Sequence, residues 1–246
     1  MIPSRGGPAP SIHVFAPLVQ LRQACRRPRR ADTPTRNRYR CTRIGQPRHP
    51  PQRRTYPDVM SDIIIPGIGS LEPVPALDHL DLLAPPVAAA LTTLAERGAA
   101  TASSALVVAI DPELADTEVM TREFGMDLAL SSNCILVAGK RAGEERIAAC
   151  VVRATTNADV NHVVKKRLDV RKASFWPQDR AVEASGMEYG GITPVGVPES
   201  WRLLIDSACA TGWSCIGSGL RRSKLFVRGE VLAALPGAEI VERLGA

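Results

Sequence analysis

Residues 186–196 read GMEYGGITPVG: four glycines and a proline in eleven positions, with Tyr189, Ile192 and Val195 between them. A helix interior would lose roughly 1 kcal/mol at each glycine, and a central strand would lose a ladder donor at Pro194, so the stretch is a shaped loop. Two readings of that loop are open. Glycine permits a tight turn with positive φ, and it equally lets a backbone wall approach a ligand and offer N–H groups to it.

Working outward, WRLLIDSACA, CIGSG and KLFVRG have the apolar content of strands, and EVLAALPG that of one or two helical turns. NCILVAG and RIAACVVRAT flank the polar connection KRAGEE and predict an antiparallel hairpin. ALVVAID (105–111) predicts a buried strand. In PPVAAALTTLAERG, Val87, Ala90, Leu91 and Leu94 fall on one helical face, Pro85 and Pro86 suit the entry, and Gly98 suits the stop. A short helix is expected from near Thr117 to Gly125, and another opening at Pro177. Asn157 is the candidate cap of a helix in ADVNHVVKKRL. Strands and helices mix without a regular βαβα alternation, which predicts an α+β domain over a doubly wound sheet.

Charge is unevenly distributed. Residues 1–59 hold thirteen arginines, no lysine and two acidic residues, a balance of +11, so the remainder carries −5 of the net +6. This Arg/Pro-rich quarter shows no sustained apolar period and cannot bury enough surface to fold, so disorder is expected there. A nucleic-acid-binding tail, a targeting segment and an upstream extension with the true start at Met60 all remain open for it. Residues 60–84, with Pro66, Pro73 and Pro75, form a lead-in arm, leaving 85–246 as the folded domain. The apolar patch SIHVFAPLV is broken by His13 and Pro17, too short for a secretory core, and no apolar run of about 18 residues occurs that would cross a membrane.

Six cysteines include no C-x-x-C pair, and four histidines fall at no ligand spacing, so no metal and no cofactor is expected. Cys134 and Cys150 sit in strand-like runs as buried thiols suited to a reducing cytoplasm. His162 has the character of a solvated helix residue. GWSCIG lacks the second glycine of a nucleophile elbow, since Ile216 occupies that position, and no phosphate-binding P-loop is present. IGSGLRRSK (216–224) brings bare backbone beside Arg221, Arg222 and Lys224, which suits either a phosphate contact or a hairpin turn with solvated cations. Asp206, closing the apolar run WRLLID, needs a partner if buried; it is either an acceptor for loop N–H groups or a site group.

The order of these pieces resembles the YbaK/EbsC/ProX family of aminoacyl-tRNA editing domains over roughly residues 86–244. GGITPVG (190–196) is similar to the family's G-G-[IV]-[ST]-P-[LIVF]-G loop, and Asp206 and the 217–219 turn follow at the family interval. The resemblance implies a single α+β domain with a mixed, curled sheet, a partial barrel flanked by helices, which hydrolyses the ester of a small amino acid wrongly attached to tRNA. It implies no metal, backbone donors at the reaction centre, and a terminal ribose hydroxyl that helps to activate water. Gly190, Gly191, Ile192, Thr193 and Pro194 would then line the aminoacyl pocket, with Asp206 among the site groups. Gly217, Ser218 and Gly219 would face the terminal adenosine, and Arg221, Arg222 and Lys224 would hold the acceptor end. Partners would be the tRNA acceptor end and an aminoacyl-tRNA synthetase, in the cytoplasm, with no membrane. One position departs from the family: Asn133 stands where deacylases carry a lysine. Either another cation, Lys172 or Lys224, replaces it, or this branch binds aminoacyl-tRNA or a nucleotide-like ligand without hydrolysis, or the substrate differs.

Overall fold

Pro85 and Pro86 open helix α1 (Pro85–Glu96), where missing N–H groups cost nothing, and Gly98 at φ +77° follows its end. The computed structural model describes residues 63–98 and 102–246, all within one unit spanning Thr55–Ala246. The expectations for residues 1–59 and for the first residues of the arm lie outside that range.

The strands divide into two sheets. β1 (Val74–Pro75), β2 (Leu106–Ala109), β8 (Ser223–Arg228) and β7 (Trp213–Gly217) lie in that order, all antiparallel. The second sheet, in the order β5 (Ala173–Phe175), β3 (Ser132–Arg141), β4 (Glu144–Arg153), β6 (Arg202–Asp206), β9 (Ala238–Val241), is mixed: β4, β6 and β9 run parallel, and β3 is antiparallel to both neighbours. The expected hairpin is β3–β4, turning at Ala142 and Gly143, both at positive φ. A bridge between Ser131 and Cys215 joins the sheets. The expected mixed, curled sheet thus consists of two sheets meeting at one seam, with no closed barrel: β7 meets the β3 chain at that bridge, and further along the same edge is taken by β5.

Alternation along the strands sorts the core into three layers. Val87, Leu91 and Leu94 of α1 pack with Val107, Leu225 and Val227 of one sheet and Val151, Leu203 and Ile205 of the other. Leu106, Val108 and Phe226 face the opposite way, against Met120 of α2 (Thr117–Phe124) and Ile65 and Leu71 of the arm. Val137, Cys150 and Leu204 face Val164 and Leu168, which flank α3 (Lys165–Leu168) and a preceding π-turn, Val160–Val164. α4 (Gln178–Ser185) follows Pro177, and α5 (Gly229–Ala233) follows β8. No helix among the described residues is long and apolar enough to cross a membrane.

One local expectation changes. The π-turn is capped by Asp159, which accepts from the His162 N–H at 2.9 Å, while Asn157 pairs its backbone with Ala246. Asp159 also approaches His162 Nδ1 at 3.0 Å, and the His162 ring is exposed, as expected of a solvated residue.

Candidate functional site

β3 leaves part of one edge unpaired. β7 touches that edge at Ser131 and β5 reaches it at Val137–Gly139, with the Trp176 N–H capping the Leu136 carbonyl. Between those contacts lie Ser132, Asn133, Cys134 and Ile135, and there a cavity of about 350 Å³ opens at the seam of the sheets. Gly190, Ile192 and Tyr189 wall it from the glycine loop, Ile216 and Gly217 from β7, Lys224 from β8, and Asp116 and Thr117 from the start of α2.

The glycine loop is turn and wall together. Gly190 (φ +77°) and Gly196 (φ +82°) supply the turns. Gly191 lies flat on the β7–β8 hairpin loop: its carbonyl accepts from the Gly219 N–H at 2.8 Å, and a Cβ on it would sit 2.8 Å from the Leu220 backbone. The Gly191 N–H is used by the Glu188 carbonyl at 3.0 Å, whereas the N–H groups of Gly190 and Ile192 have no hydrogen-bond partner among the described residues. The bare backbone therefore serves loop-to-loop contact at Gly191 and leaves donors on the cavity wall at Gly190 and Ile192.

Lys224 is buried at 7 % exposure and forms no ion pair among the described residues. Loss of hydration lowers its pKa from the ordinary lysine value, Arg221 lowers it further, and Cys215 and Asp116 oppose the shift. The Asn133 carbonyl accepts from the Thr117 hydroxyl at 3.4 Å, which leaves its NH₂ as the end free to donate. Burial pushes the Cys215 thiol up to about 12 and raises the Cys134 thiol as well, so the two cavity cysteines stay protonated. Among the described residues no three His, Cys, Asp or Glu side chains gather closely enough to hold a metal.

A family model for the aminoacyl-tRNA editing domain matches residues 111–235, which include every residue lining this cavity. The chain belongs to that family. Two solved structures share the editing-domain fold: one provisionally described as a trans-editing enzyme for prolyl tRNA synthetase (16% identity, TM-score 0.52, 65% of this chain and 97% of that chain) and one described as a hypothetical protein (18%, 0.51, 61% and 95%). A scaffold protein carrying a computationally grafted epitope has the same fold at 16% identity and TM-score 0.51, covering 65% of this chain and 97% of that one. A search of curated proteins finds no match.

The editing domain gathers some of the residues singled out from the sequence and disperses others. Asn133, Gly190, Ile192, Gly217 and Lys224 share the cavity. Thr193 is fully buried, and Pro194 lines a separate cavity of about 220 Å³ between α1 and Trp201. Ser218 turns inward to Ser223 Oγ at 2.7 Å and accepts from the Leu220 N–H, and a Cβ on Gly219 would strike the Ala84 side chain, so this turn packs into the protein. Arg221 pairs with Asp116 at 3.2 Å, and Arg222 donates to the Asp81 carbonyl at 2.7 Å, so the GSGLRRSK segment is a hairpin loop whose arginines are engaged internally. Lys172 lies just before β5, beside Gly139, six residues along β3 from Asn133 and away from the cavity.

Asp206, whose role was open, accepts the N–H groups of Ala208 at 2.8 Å and Gly245 at 2.7 Å. It holds the end of β6 to the C-terminal segment and is absent from the cavity lining. Asp206→Ala strands those buried donors and is expected to cost about 1–3 kcal/mol, lowering Tm by several degrees in a thermal melt while kcat is retained.

Asp116, Thr117, Met120, Ser131 and Tyr189 line the cavity without having been singled out. Asp116 carried a usable signal: it precedes a helix as a cap residue, yet its side chain makes no capping bond and instead reaches Arg221. Arg153 was also passed over; it donates to the carbonyls of Ala208, Thr211 and Trp213, bracing the seam beneath the cavity.

Proposed function

We propose that this chain is an aminoacyl-tRNA deacylase that removes a small amino acid from a mischarged tRNA, in the cytoplasm and in company with an aminoacyl-tRNA synthetase. One observation carries the reading: Gly190 and Ile192, whose N–H groups have no hydrogen-bond partner among the described residues, line one cavity together with Asn133 and the buried Lys224. Water attacks the ester carbonyl, negative charge grows on its oxygen, and the bond to the ribose oxygen breaks to release free amino acid and a tRNA hydroxyl. Preorganised donors aimed at such an oxygen are worth about 3 kcal/mol each in the barrier. Lys224 brings from β8 the positive charge that the family lysine would supply from β3 at position 133.

A hydrolysis time course of the full chain against a panel of correctly and incorrectly aminoacylated tRNAs tests this reading. The expected result is release of one small amino acid from a mismatched tRNA. Binding across the panel without release would instead establish a noncatalytic aminoacyl-tRNA module, the reading that Asn133 favours.

A further inference from the structure

The proposed substrate presents one small ester and a long chain of phosphates, and the cations nearest the cavity are not free to meet those phosphates. Arg221 is paired with Asp116, Arg222 is held by the Asp81 carbonyl, and Lys224 is buried. The domain is acidic as a whole, residues 60–246 carrying −5. Its positive charge is concentrated between the tip of the β3–β4 hairpin and the start of β5: residues 140–172 hold nine Lys or Arg against four acids.

Internal acids account for part of that excess. Asp169 takes Arg141 and Arg146, and Glu239 takes Arg167. Lys165, Lys166, Arg171 and Lys172 form no ion pair and no side-chain hydrogen bond among the described residues, and the last three are exposed.

This patch lies over the sheet face that leads to the cavity. Asn133, Ile135, Val137 and Gly139 alternate onto one face of β3. Val137 packs there against Val164, Leu168 and Val170, so α3 and the segment after it cover the face that carries Asn133. Gly139, beside Lys172, is six residues from Asn133, about 20 Å at the rise of a strand.

We infer that Lys165, Lys166, Arg171 and Lys172 form a docking surface for the phosphate backbone of the tRNA, about 13–20 Å along β3 from the cavity that takes its aminoacyl end. The inference rests on the deacylase reading for its ligand. Such contacts fix the register of the RNA without reading its bases, and Lys and Arg suit phosphate there as unpaired charges. In an acidic domain this surface also orients the approaching polyanion.

The test measures binding of uncharged tRNA to the full chain over a range of KCl concentrations, for the parent and for the triple variant Lys166→Gln/Arg171→Gln/Lys172→Gln. The arginines of residues 1–59 contribute equally to both proteins and cancel in the difference. The expected result is a fall of about 2–3 in the slope of log K against log salt, with at least a tenfold loss of affinity at low salt. Binding of adenosine monophosphate, a single nucleotide too short to span from cavity to patch, should be unchanged. An unchanged slope, or an equal loss for tRNA and adenosine monophosphate, overturns the docking surface. Failure of the parent to release any amino acid sinks the deacylase reading instead, and the salt slope still decides the surface.

Discussion

Replacing Lys224 by methionine is expected to lower kcat/KM for a mischarged tRNA by roughly 10- to 100-fold while leaving the melting temperature unchanged or higher. Burial at 7 % exposure strips the ammonium of water without giving it an ion-pair partner, so the folded state carries a desolvation cost that a thioether of similar length does not. In the proposed deacylase reaction the same ammonium supplies a charge-assisted contact to the substrate, worth about 1.5–3 kcal/mol. A structural lysine would show the opposite pattern, with activity and stability falling together. Restoring the cation from the other sheet, as Asn133→Lys on the Lys224→Met background, is expected to recover part of the lost rate. No recovery, with the fold intact, would mean that Lys224 acts at a position β3 cannot serve.

The pH dependence has a definite sign. The folded-state pKa of Lys224 is depressed, so between that value and the ordinary 10.5 the unfolded chain binds more protons than the folded one, and stability rises with pH across the window. Activity runs the other way over the same window, because the deprotonated amine no longer carries charge. Rate profiles and denaturant melts across that window should therefore diverge in the parent and run parallel in Lys224→Met.

Gly217→Ala is expected to cost about 2–4 kcal/mol and to close the cavity. A Cβ at 217 would collide with the Gly191 carbonyl and lie 2.9 Å from that of Ile192, with no flexible side chain in its path to yield. The glycine loop and the β7–β8 hairpin meet there as bare backbone, so one must move, and overpacking of rigid backbone costs at the upper end of its usual range. Urea melts should show the lost stability, and tRNA hydrolysis should be lost more than stability explains, because displacing Ile192 moves a cavity donor. By contrast, Gly143→Ala at the β3–β4 turn meets no atom within 4 Å and is expected to cost only the strain of a positive φ, about 1 kcal/mol.

Much of the architecture was legible because its signals are local. The i, i+3, i+4, i+7 pattern from Val87 to Leu94 marked α1, the polar KRAGEE connection marked the β3–β4 hairpin, and Gly125 marked the end of α2. The short edge strands β1, β5 and β9 have no apolar run and exist only because longer neighbours offer them an edge. The GGITPVG loop pointed to the family, yet loop chemistry alone does not say which residues face a cavity. Gly190 and Ile192 face it, Thr193 is buried, and Pro194 lines the opposite side.

The sequence by itself determined the α+β class, the order of the principal elements and the editing-domain family, all properties of residues read in series. The tertiary structure alone decided that Lys224 enters the cavity while Lys172 stays outside it, that Asp206 is a brace, and that Arg221 and Arg222 are engaged internally. The physical reason is the gap on one edge of β3. The cavity exists where β7 has left that edge and β5 has not yet reached it, and its occupants come from segments as far apart in the chain as Asp116 and Lys224.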